Sequence, residues 1–265
     1  MIEGHGFFGR LRAAARARGT LLCLNLDPQP ELIPGGAAGA ALFCTDLVRR
    51  TASAVCCYKP NAAFWEQYGP EGWRALAEVR AAIPADIPVL FDAKRGDVGH
   101  SMAAYARAAF EVLGMDAVTV NAYLGLDSLR EFTRYQDRGV FVLCRTSNPG
   151  AGDLQHLEAG GGPLYLRVAE LARRAATDDN VGLVVGATAP GEVAKVRAAA
   201  PSMPFLLPGV GAQGGDLEAS LRAAWNGDPA SCLVAVGRSV IYADDPAREA
   251  DRLRESMQAV LAGAV

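Results

Sequence analysis

Residues 89–97 read VLFDAKRGD: a short apolar run passes into charged residues and ends at a glycine turn. A buried run that leads into a polar end is typical of a strand in a parallel sheet. The same pattern recurs along the whole chain. It predicts strands near residues 21–26, 55–58, 89–91, 117–120, 140–143, 182–185, 205–207 and 232–236.

The segments between these runs have apolar residues at the spacing of a helix. Stretches rich in Ala, Arg and Glu, such as residues 73–83 and 164–176, place apolar residues three and four positions apart. Strand alternating with helix predicts right-handed βαβ units and a parallel sheet. We therefore expect an α/β protein, a (β/α)8 TIM barrel forming a single domain over residues 1–265, with residues 1–19 as an N-terminal helical extension. An open doubly wound sheet is the alternative, but it needs fewer strands, and no G-x-G-x-x-G follows the first one.

Composition and charge narrow the class of protein. Hydrophobic residues make up 51% of the chain and charged residues 21%, which is a globular balance. The net charge of -3, without a basic stripe, argues against a nucleic-acid partner. The apolar runs are strand-sized and the first residues are an Arg-rich amphipathic stretch, so we expect no membrane span, no signal peptide and a cytoplasmic protein. The 6 cysteines form no C-x-x-C pair, and we interpret them as reduced core residues.

Lysine is scarce in this sequence. The chain holds only Lys59, Lys94 and Lys195, against 23 arginines. Because arginine almost never gives up its proton, a lysine kept among so many arginines can mark chemistry that a guanidinium cannot do. Lys59 and Lys94 each end a β-like run, just after a predicted strand, whereas Lys195 lies in a predicted helix. The carboxyl ends of barrel strands meet at the active site, so two of the three lysines fall where catalysis is expected.

Carboxylates accompany these two lysines. Side chains alternate along a strand, so Asp92 and Lys94 project together into the barrel mouth while Arg95 points away. With Lys59 and Asp97 they predict an alternating cluster of carboxylates and ammonium groups, which keeps a partly buried lysine charged and fixes its direction. A solvated charge run at a strand end is the simpler alternative. It accounts poorly for two lysines and two aspartates that converge from neighbouring strands.

Two loops predict a phosphate-binding site. Residues 208–215 (PGVGAQGG) follow the seventh strand and residues 236–239 (VGRS) follow the eighth, where barrels often bind phosphate. Glycines such as Gly237 allow a close approach of backbone N–H groups. Arg238 can donate two parallel hydrogen bonds, and Gln213 can donate another from the side.

With these residues in place, the chain resembles the orotidine 5′-phosphate decarboxylase family in its longer bacterial form. Residues 92–101 (DAKRGDVGHS) are similar to the family signature D-x-K-x-x-D-[IV]-x-x-[TS]. Val98 stands where Ile is usual, and Ser101 stands where Thr is usual, which keeps the hydroxyl but not the methyl group. Further matching segments lie in the family's order, from the first strand to the eighth: residues 24–28 (LNLDP), 58–61 (YKPN), 145–150 (RTSNPG) and 236–239 (VGRS).

The resemblance implies an activity and a role for each matched residue. It implies decarboxylation of orotidine 5′-phosphate to uridine 5′-phosphate and CO2, with no metal and no organic cofactor. Lys94 would deliver a proton to pyrimidine C6, Asp92 would lie beside the departing carboxylate, and Lys59 would orient Asp92 and the ribose. Asp97 would reach the ribose in the partner subunit's site, which implies a homodimer. The implied substrate-binding residues are Asp27 for a ribose hydroxyl, Ser147 for the pyrimidine, Gln213 and Arg238 for the phosphate, and also Ser101 and Gly237.

Three other functions remain open at this point. A metal-dependent keto-acid phosphate decarboxylase or an aldol-type synthase resembles the same signature, but those enzymes recruit a metal through a carboxylate near strand two, where this chain has Lys59. A Schiff-base aldolase would use Lys59 or Lys94, yet a lysine flanked by carboxylates stays protonated and is a poor nucleophile. A non-catalytic nucleotide-binding barrel would not need the full charge network.

Overall fold

The computed structural model describes residues 6–210 and 214–263, in which strands and helices alternate. Strands β1 to β8 are Leu22–Leu26, Cys57–Pro60, Leu90–Arg95, Ala117–Val120, Gly139–Arg145, Val181–Val185, Phe205–Pro208 and Cys232–Val236. Helices α1 to α12 are Phe7–Arg18, Gly36–Thr51, Ala62–Glu66, Pro70–Ala82, Gly99–Arg107, Leu126–Thr133, Gly152–Gln155, Leu164–Ala175, Pro190–Ala199, Leu217–Ala224, Arg238–Ile241 and Pro246–Ala262. A π-helical segment follows α5 and a 3-10 turn precedes α7: Ala108–Val112 and Pro149–Ala151.

The strands of the described residues form one parallel sheet that closes on itself. Their order is β2-β1-β8-β7-β6-β5-β4-β3. The two outer strands of that order, β2 and β3, meet through parallel bridges between Tyr58 and Val89 and between Asn61 and Asp92. The predicted (β/α)8 TIM barrel is therefore confirmed, and the open doubly wound sheet is wrong.

The core fills the barrel and the layer between sheet and helices. Every residue of β2, β4, β6 and β8 is buried, as expected for strands covered on both faces. Helix α1 lies at the amino-terminal end of the barrel, where Phe7 packs edge-on against Phe141 at 6.0 Å between ring centroids. A Cβ atom on Gly139 would collide with the Phe7 ring, so this glycine gives α1 its place. Residues 1–5 of the predicted N-terminal extension lie outside the described residues.

A buried carboxylate fixes the amino-terminal ends of β3 and β4. Asp116 accepts a hydrogen bond from Arg10 of α1 at 2.9 Å and another from Arg80 of α4 at 3.2 Å. It also accepts one from the backbone N–H of Val89 at 2.9 Å. Because a buried charge is stable only when it is paired and hydrogen-bonded, these contacts tie two helices to the strands that carry the site.

The six cysteines all lie in the described ranges, where they are buried and form no disulfide, as the sequence predicts. Burial raises the pKa of the Cys144 and Cys232 thiols to about 12, so both stay protonated and unreactive near neutral pH. Over the described parts of the chain, none of the helices combines the length and the apolar character needed to cross a bilayer.

Candidate active site

A cavity of about 560 Å³ opens at the carboxyl ends of the strands. This volume suits a small molecule of nucleotide size. One wall is polar and carries Asp27, Lys59, Asp92 and Lys94, and the facing wall includes apolar side chains of β5 to β8: Leu143, Val184, Leu206 and Ala235. A larger cavity, about 750 Å³, lies at the amino-terminal end of the barrel beside Phe7. Barrel enzymes carry out catalysis at the carboxyl end, so the smaller cavity is the candidate site.

Asp92 is the centre of the polar wall. Its Oδ1 accepts hydrogen bonds from Lys94 Nζ at 2.7 Å and from Thr119 Oγ1 at 2.9 Å. Its Oδ2 accepts from Lys59 Nζ at 2.7 Å and from Asn61 Nδ2 at 3.4 Å. A carboxylate with four donors around it is held in one orientation. The structure thus brings together three of the four residues that the sequence placed in the charge cluster, all except Asp97.

The electrostatics of this network keep it charged. Burial alone would raise the pKa of the Asp92 carboxyl, but the ammonium groups of Lys59 and Lys94 outweigh burial and hold that pKa well below its usual range. Burial alone would lower the pKa of Lys59, but the Asp92 and Asp27 carboxylates outweigh burial and raise it. Near neutral pH, Asp92 is therefore ionised and Lys59 is protonated.

Lys94 reaches the cavity from a distorted part of β3. Its φ is +47°, in the left-handed region that residues other than glycine seldom adopt. The predicted same-side projection of Asp92 and Lys94 is confirmed by their 2.7 Å ion pair. Arg95 points elsewhere and pairs with Glu66 at 3.0 Å. The backbone N–H of Lys94 donates to Thr119 Oγ1 at 2.9 Å, a contact that helps to hold this strained conformation.

Asp27 and Asn25 line the polar wall of the cavity near the carboxyl end of β1. Asp27 accepts hydrogen bonds from the backbone N–H of Asn61 at 3.2 Å and from Asn25 Nδ2 at 3.0 Å. Burial raises the pKa of the Asp27 carboxyl, partly opposed by Lys59. Asn25 lines the cavity, and its buried Oδ1 has no hydrogen-bond partner among the described residues. Sequence reasoning assigned no role to Asn25, although its two-residue spacing from Asp27 is a signal that both face the same side.

The predicted phosphate end is formed by the residues that follow β7 and β8. Gly237 and the exposed Arg238 line the cavity together with Gly209. A Cβ atom on Gly237 would lie 3.1 Å from Asn25 Nδ2, so a side chain there would crowd the neighbouring end of β1. Gln213 lies outside the described residues, and its predicted role stays a prediction.

Ser147 lines the cavity in the connection that follows β5. A Cβ atom on Gly186 would lie 2.9 Å from Ser147 Cβ, so the glycine lets this loop approach the end of β6. The same connection contains the 3-10 turn and α7. Gln155 of α7 holds it by accepting from the backbone N–H of Thr146 at 2.9 Å and donating to its hydroxyl at 2.7 Å.

Asp97 and Ser101 do not line the cavity of this single chain. The Asp97 carboxylate accepts from the N–H of Val98 at 2.7 Å, and its backbone carbonyl accepts from the Ser128 hydroxyl at 2.7 Å. Ser101 lies in the first turn of α5, half-buried. Their predicted contacts with substrate remain predictions, because a second subunit would have to bring Asp97 to a site.

Fold and site together define an enzyme of the (β/α)8 barrel class with a charged active site at the carboxyl end of its strands. Residues 20–253 match the family described as orotidine 5′-phosphate decarboxylase / HUMPS. The chain belongs to this family. The predicted family is therefore confirmed, and so is the class of enzyme, a carboxy-lyase.

Individual relatives are similar over almost the whole chain. Proteins named orotidine 5′-phosphate decarboxylase from Roseiflexus castenholzii and Herpetosiphon aurantiacus are each 48% identical. The alignment with the first covers 96% of this chain and 98% of the relative, and that with the second covers 96% of both. The solved structure of Leishmania donovani OMP decarboxylase has a TM-score of 0.90 and 46% identity, over 96% of this chain and 98% of that one.

Proposed function

We propose that this enzyme decarboxylates orotidine 5′-phosphate to uridine 5′-phosphate and CO2, with Lys94 as the proton donor and with no metal or organic cofactor. The observation that carries the proposal is the network in which Asp92 is held between Lys59 and Lys94, each at 2.7 Å, on the wall of the cavity. Family membership and the names of the relatives support the substrate.

The side chains of the two lysines differ in exposure, and this difference indicates different roles. The side chain of Lys59 is 4% exposed, whereas that of Lys94 is 48% exposed. Both lysines line the cavity, but Lys94 is far more accessible to a substrate, whereas Lys59 is nearly buried against Asp92. In our proposal Lys94 transfers the proton, and Lys59 holds the carboxylate that directs it.

The chemical step fits this arrangement. When the bond between C6 and the carboxylate breaks, CO2 leaves and the electron pair stays on C6 as a vinyl carbanion that the ring delocalises poorly. A fixed ammonium group stabilises the charge as it develops and then gives its proton to C6. Lys94 is left as a neutral amine and takes up a proton from water before the next turnover.

The rest of the substrate would lie along the polar wall. In our proposal Asp27 binds a ribose hydroxyl, Ser147 binds the pyrimidine, and Arg238 binds the phosphate with Gly237 and Gln213; Ser101 is a further substrate-binding residue. The binding energy of a phosphate that lies far from the reacting carbon can lower the barrier of the chemical step, because phosphate binding closes the site and excludes water.

We also propose a homodimer in which Asp97 enters the partner subunit's site, in a cytoplasmic enzyme that acts on a small molecule rather than on nucleic acid or membrane. The proposal is supported by the position of Asp97, which does not line the cavity of its own chain, so that a second subunit would have to bring it to a site.

The direct test is turnover of orotidine 5′-phosphate by the purified protein in EDTA, followed by the fall in pyrimidine absorbance and by released CO2. We expect turnover that EDTA leaves unchanged. Loss of activity in EDTA would favour a metal-dependent barrel enzyme. Binding without turnover would favour a nucleotide-binding protein, and a lysine adduct trapped by borohydride would favour a Schiff-base aldolase.

Arg238→Ala is expected to lower kcat/KM for orotidine 5′-phosphate about 30-fold, which corresponds to about 2 kcal/mol. This free-energy cost is at the low end of the range for removing one partner of a charged hydrogen bond, because Arg238 is exposed in this structure. Orotidine, which lacks the phosphate, should be a poor substrate for both proteins and scarcely worse for the variant. Steady-state kinetics on both substrates measure this difference.

The control for this variant is Arg248→Ala, which removes an exposed arginine of α12 that lies outside the cavity lining. It should match the wild type on both substrates. An Arg238→Ala defect of equal size on orotidine and on its phosphate would contradict a phosphate-binding role.

A further inference from the structure

The hydroxyl of Thr119 contacts both partners of the Lys94–Asp92 ion pair. Thr119 lies in β4 and is completely buried. Its Oγ1 accepts a hydrogen bond from the backbone N–H of Lys94 at 2.9 Å and donates one to Asp92 Oδ1 at 2.9 Å. A hydroxyl has a single proton, so its donor capacity is fully used on Asp92.

A bulge in β3 explains why the backbone N–H of Lys94 has a side-chain acceptor. The pairing of β3 with β4 shifts between Phe91 and Arg95, whose partners are the two residues that flank Thr119. Residues 92–94 of β3 therefore face a single residue of β4. A bulge leaves residues outside the backbone ladder and re-aims side chains, commonly beside active sites. At this bulge Lys94 takes its left-handed φ of +47°, and the Thr119 hydroxyl accepts its N–H.

The same hydroxyl also sets where the Lys94 side chain ends. Asp92 Oδ1, which accepts from Thr119, is the oxygen that accepts from Lys94 Nζ at 2.7 Å. Thr119 thus fixes the backbone from which Lys94 begins and the carboxylate oxygen at which its ammonium group is held. It does so from behind, since Thr119 does not line the cavity.

We infer that Thr119 is a positioning residue for proton transfer, acting through Lys94 and Asp92 without touching substrate. The inference rests on the proposed function. Without the hydroxyl, the Lys94 N–H and the Asp92 carboxylate lose their shared partner, and the ammonium group is no longer fixed relative to C6. Because the substrate contacts are unchanged, the loss should fall on kcat and not on KM.

The test is Thr119→Val, which keeps the side-chain shape and removes the hydroxyl. We expect kcat for orotidine 5′-phosphate to fall on the order of 100-fold, as a small misplacement of a catalytic group can produce, while KM changes less than about 3-fold. Thr119→Ser, which restores the hydroxyl, should recover kcat to within about 5-fold of the wild type. If Thr119 had only a structural role, kcat would change together with thermal stability. Thr119→Ser would then recover kcat no further than it recovers thermal stability.

A matched control is Thr51→Val in α2. Thr51 is also completely buried, and its hydroxyl bonds the Leu47 carbonyl and the Tyr58 hydroxyl at 2.8 Å each, outside the cavity. This variant should lower Tm and leave kcat unchanged. If Thr119→Val does not fold, as judged by circular dichroism, Thr119→Ala takes its place with the same expected loss in kcat.

Two outcomes separate this inference from the proposed function. A wild-type protein that does not decarboxylate orotidine 5′-phosphate would overturn the proposed function and this inference with it. An active wild type whose Thr119→Val variant matches its kcat, or whose Thr119→Ser variant is no better than the valine variant, would overturn only the role of Thr119.

Discussion

Lys94→Arg is expected to lower kcat for orotidine 5′-phosphate by about 10⁴-fold or more, the range that loss of a general acid and of fixed charge stabilisation together can reach. Arginine keeps the positive charge, but it is far less acidic than lysine, and its planar fork does not fit the position of a single ammonium group. Binding of uridine 5′-phosphate should persist in part, since the phosphate contacts are remote. Single-turnover kinetics and calorimetric binding of the product measure the two effects.

Lys195→Arg is the matched control for this variant. Lys195 is the remaining lysine of the chain and lies exposed on α9, outside the cavity lining, so the same substitution there should leave kcat unchanged. Near wild-type turnover by Lys94→Arg would show that charge alone suffices, and Lys94 would not be the proton donor.

Mixing two inactive proteins, Lys94→Ala and Asp97→Ala, is expected to restore about a quarter of wild-type activity. If Asp97 serves the partner subunit's site, a heterodimer has one site that lacks both residues and one site that is intact. Random exchange makes about half of the dimers heterodimers with one intact site in two, hence the quarter. The measurement is turnover before and after subunit exchange, with heterodimers confirmed by native mass spectrometry.

The control for this experiment mixes Lys94→Ala with Asp92→Asn. These residues are 2.7 Å apart within one chain, so neither site of such a heterodimer is intact and mixing should restore nothing. Confirmed heterodimers of the Lys94 and Asp97 variants that stay inactive would mean that Asp97 serves its own subunit. The decarboxylase proposal would survive that result.

The strands were predictable from their apolar runs, and the largest error in a predicted bound lies where charge begins. The predicted bounds of β4 and β8 match the structure. The predicted β3 ends at Phe91, but the strand continues to Arg95, and the predicted β2 stops before Lys59, which the strand includes. Both strands continue into charged residues, since Lys59 pairs with Asn25 of β1 and Arg95 pairs with Val120 of β4. An apolar pattern along one strand cannot show a partner on another.

Sequence reasoning found the charged residues of the site and missed two uncharged ones. Thr119 lies in the run AVTV and is indistinguishable there from a β-branched core residue. Its role depends on the bulge opposite it, and a bulge depends on the register between two strands. Asn25 likewise lies in an apolar strand, and its unpaired oxygen becomes visible only when the neighbouring strands are in place.

The place where the barrel closes has a consequence for folding. Between β2 and β3 the backbone is joined by bridges at Tyr58–Val89 and Asn61–Asp92, and the Lys59–Asp92 ion pair spans the same junction. A nearly buried ammonium group is costly without its carboxylate, so closure of the cylinder and pairing of Lys59 with Asp92 favour each other. A molecule open at this junction would keep the Lys94–Asp92 pair, which lies within β3, but Asp92 would lose its contact with Lys59. In the proposed mechanism, the orientation of Asp92, and with it turnover, then depends on closure of the barrel wall.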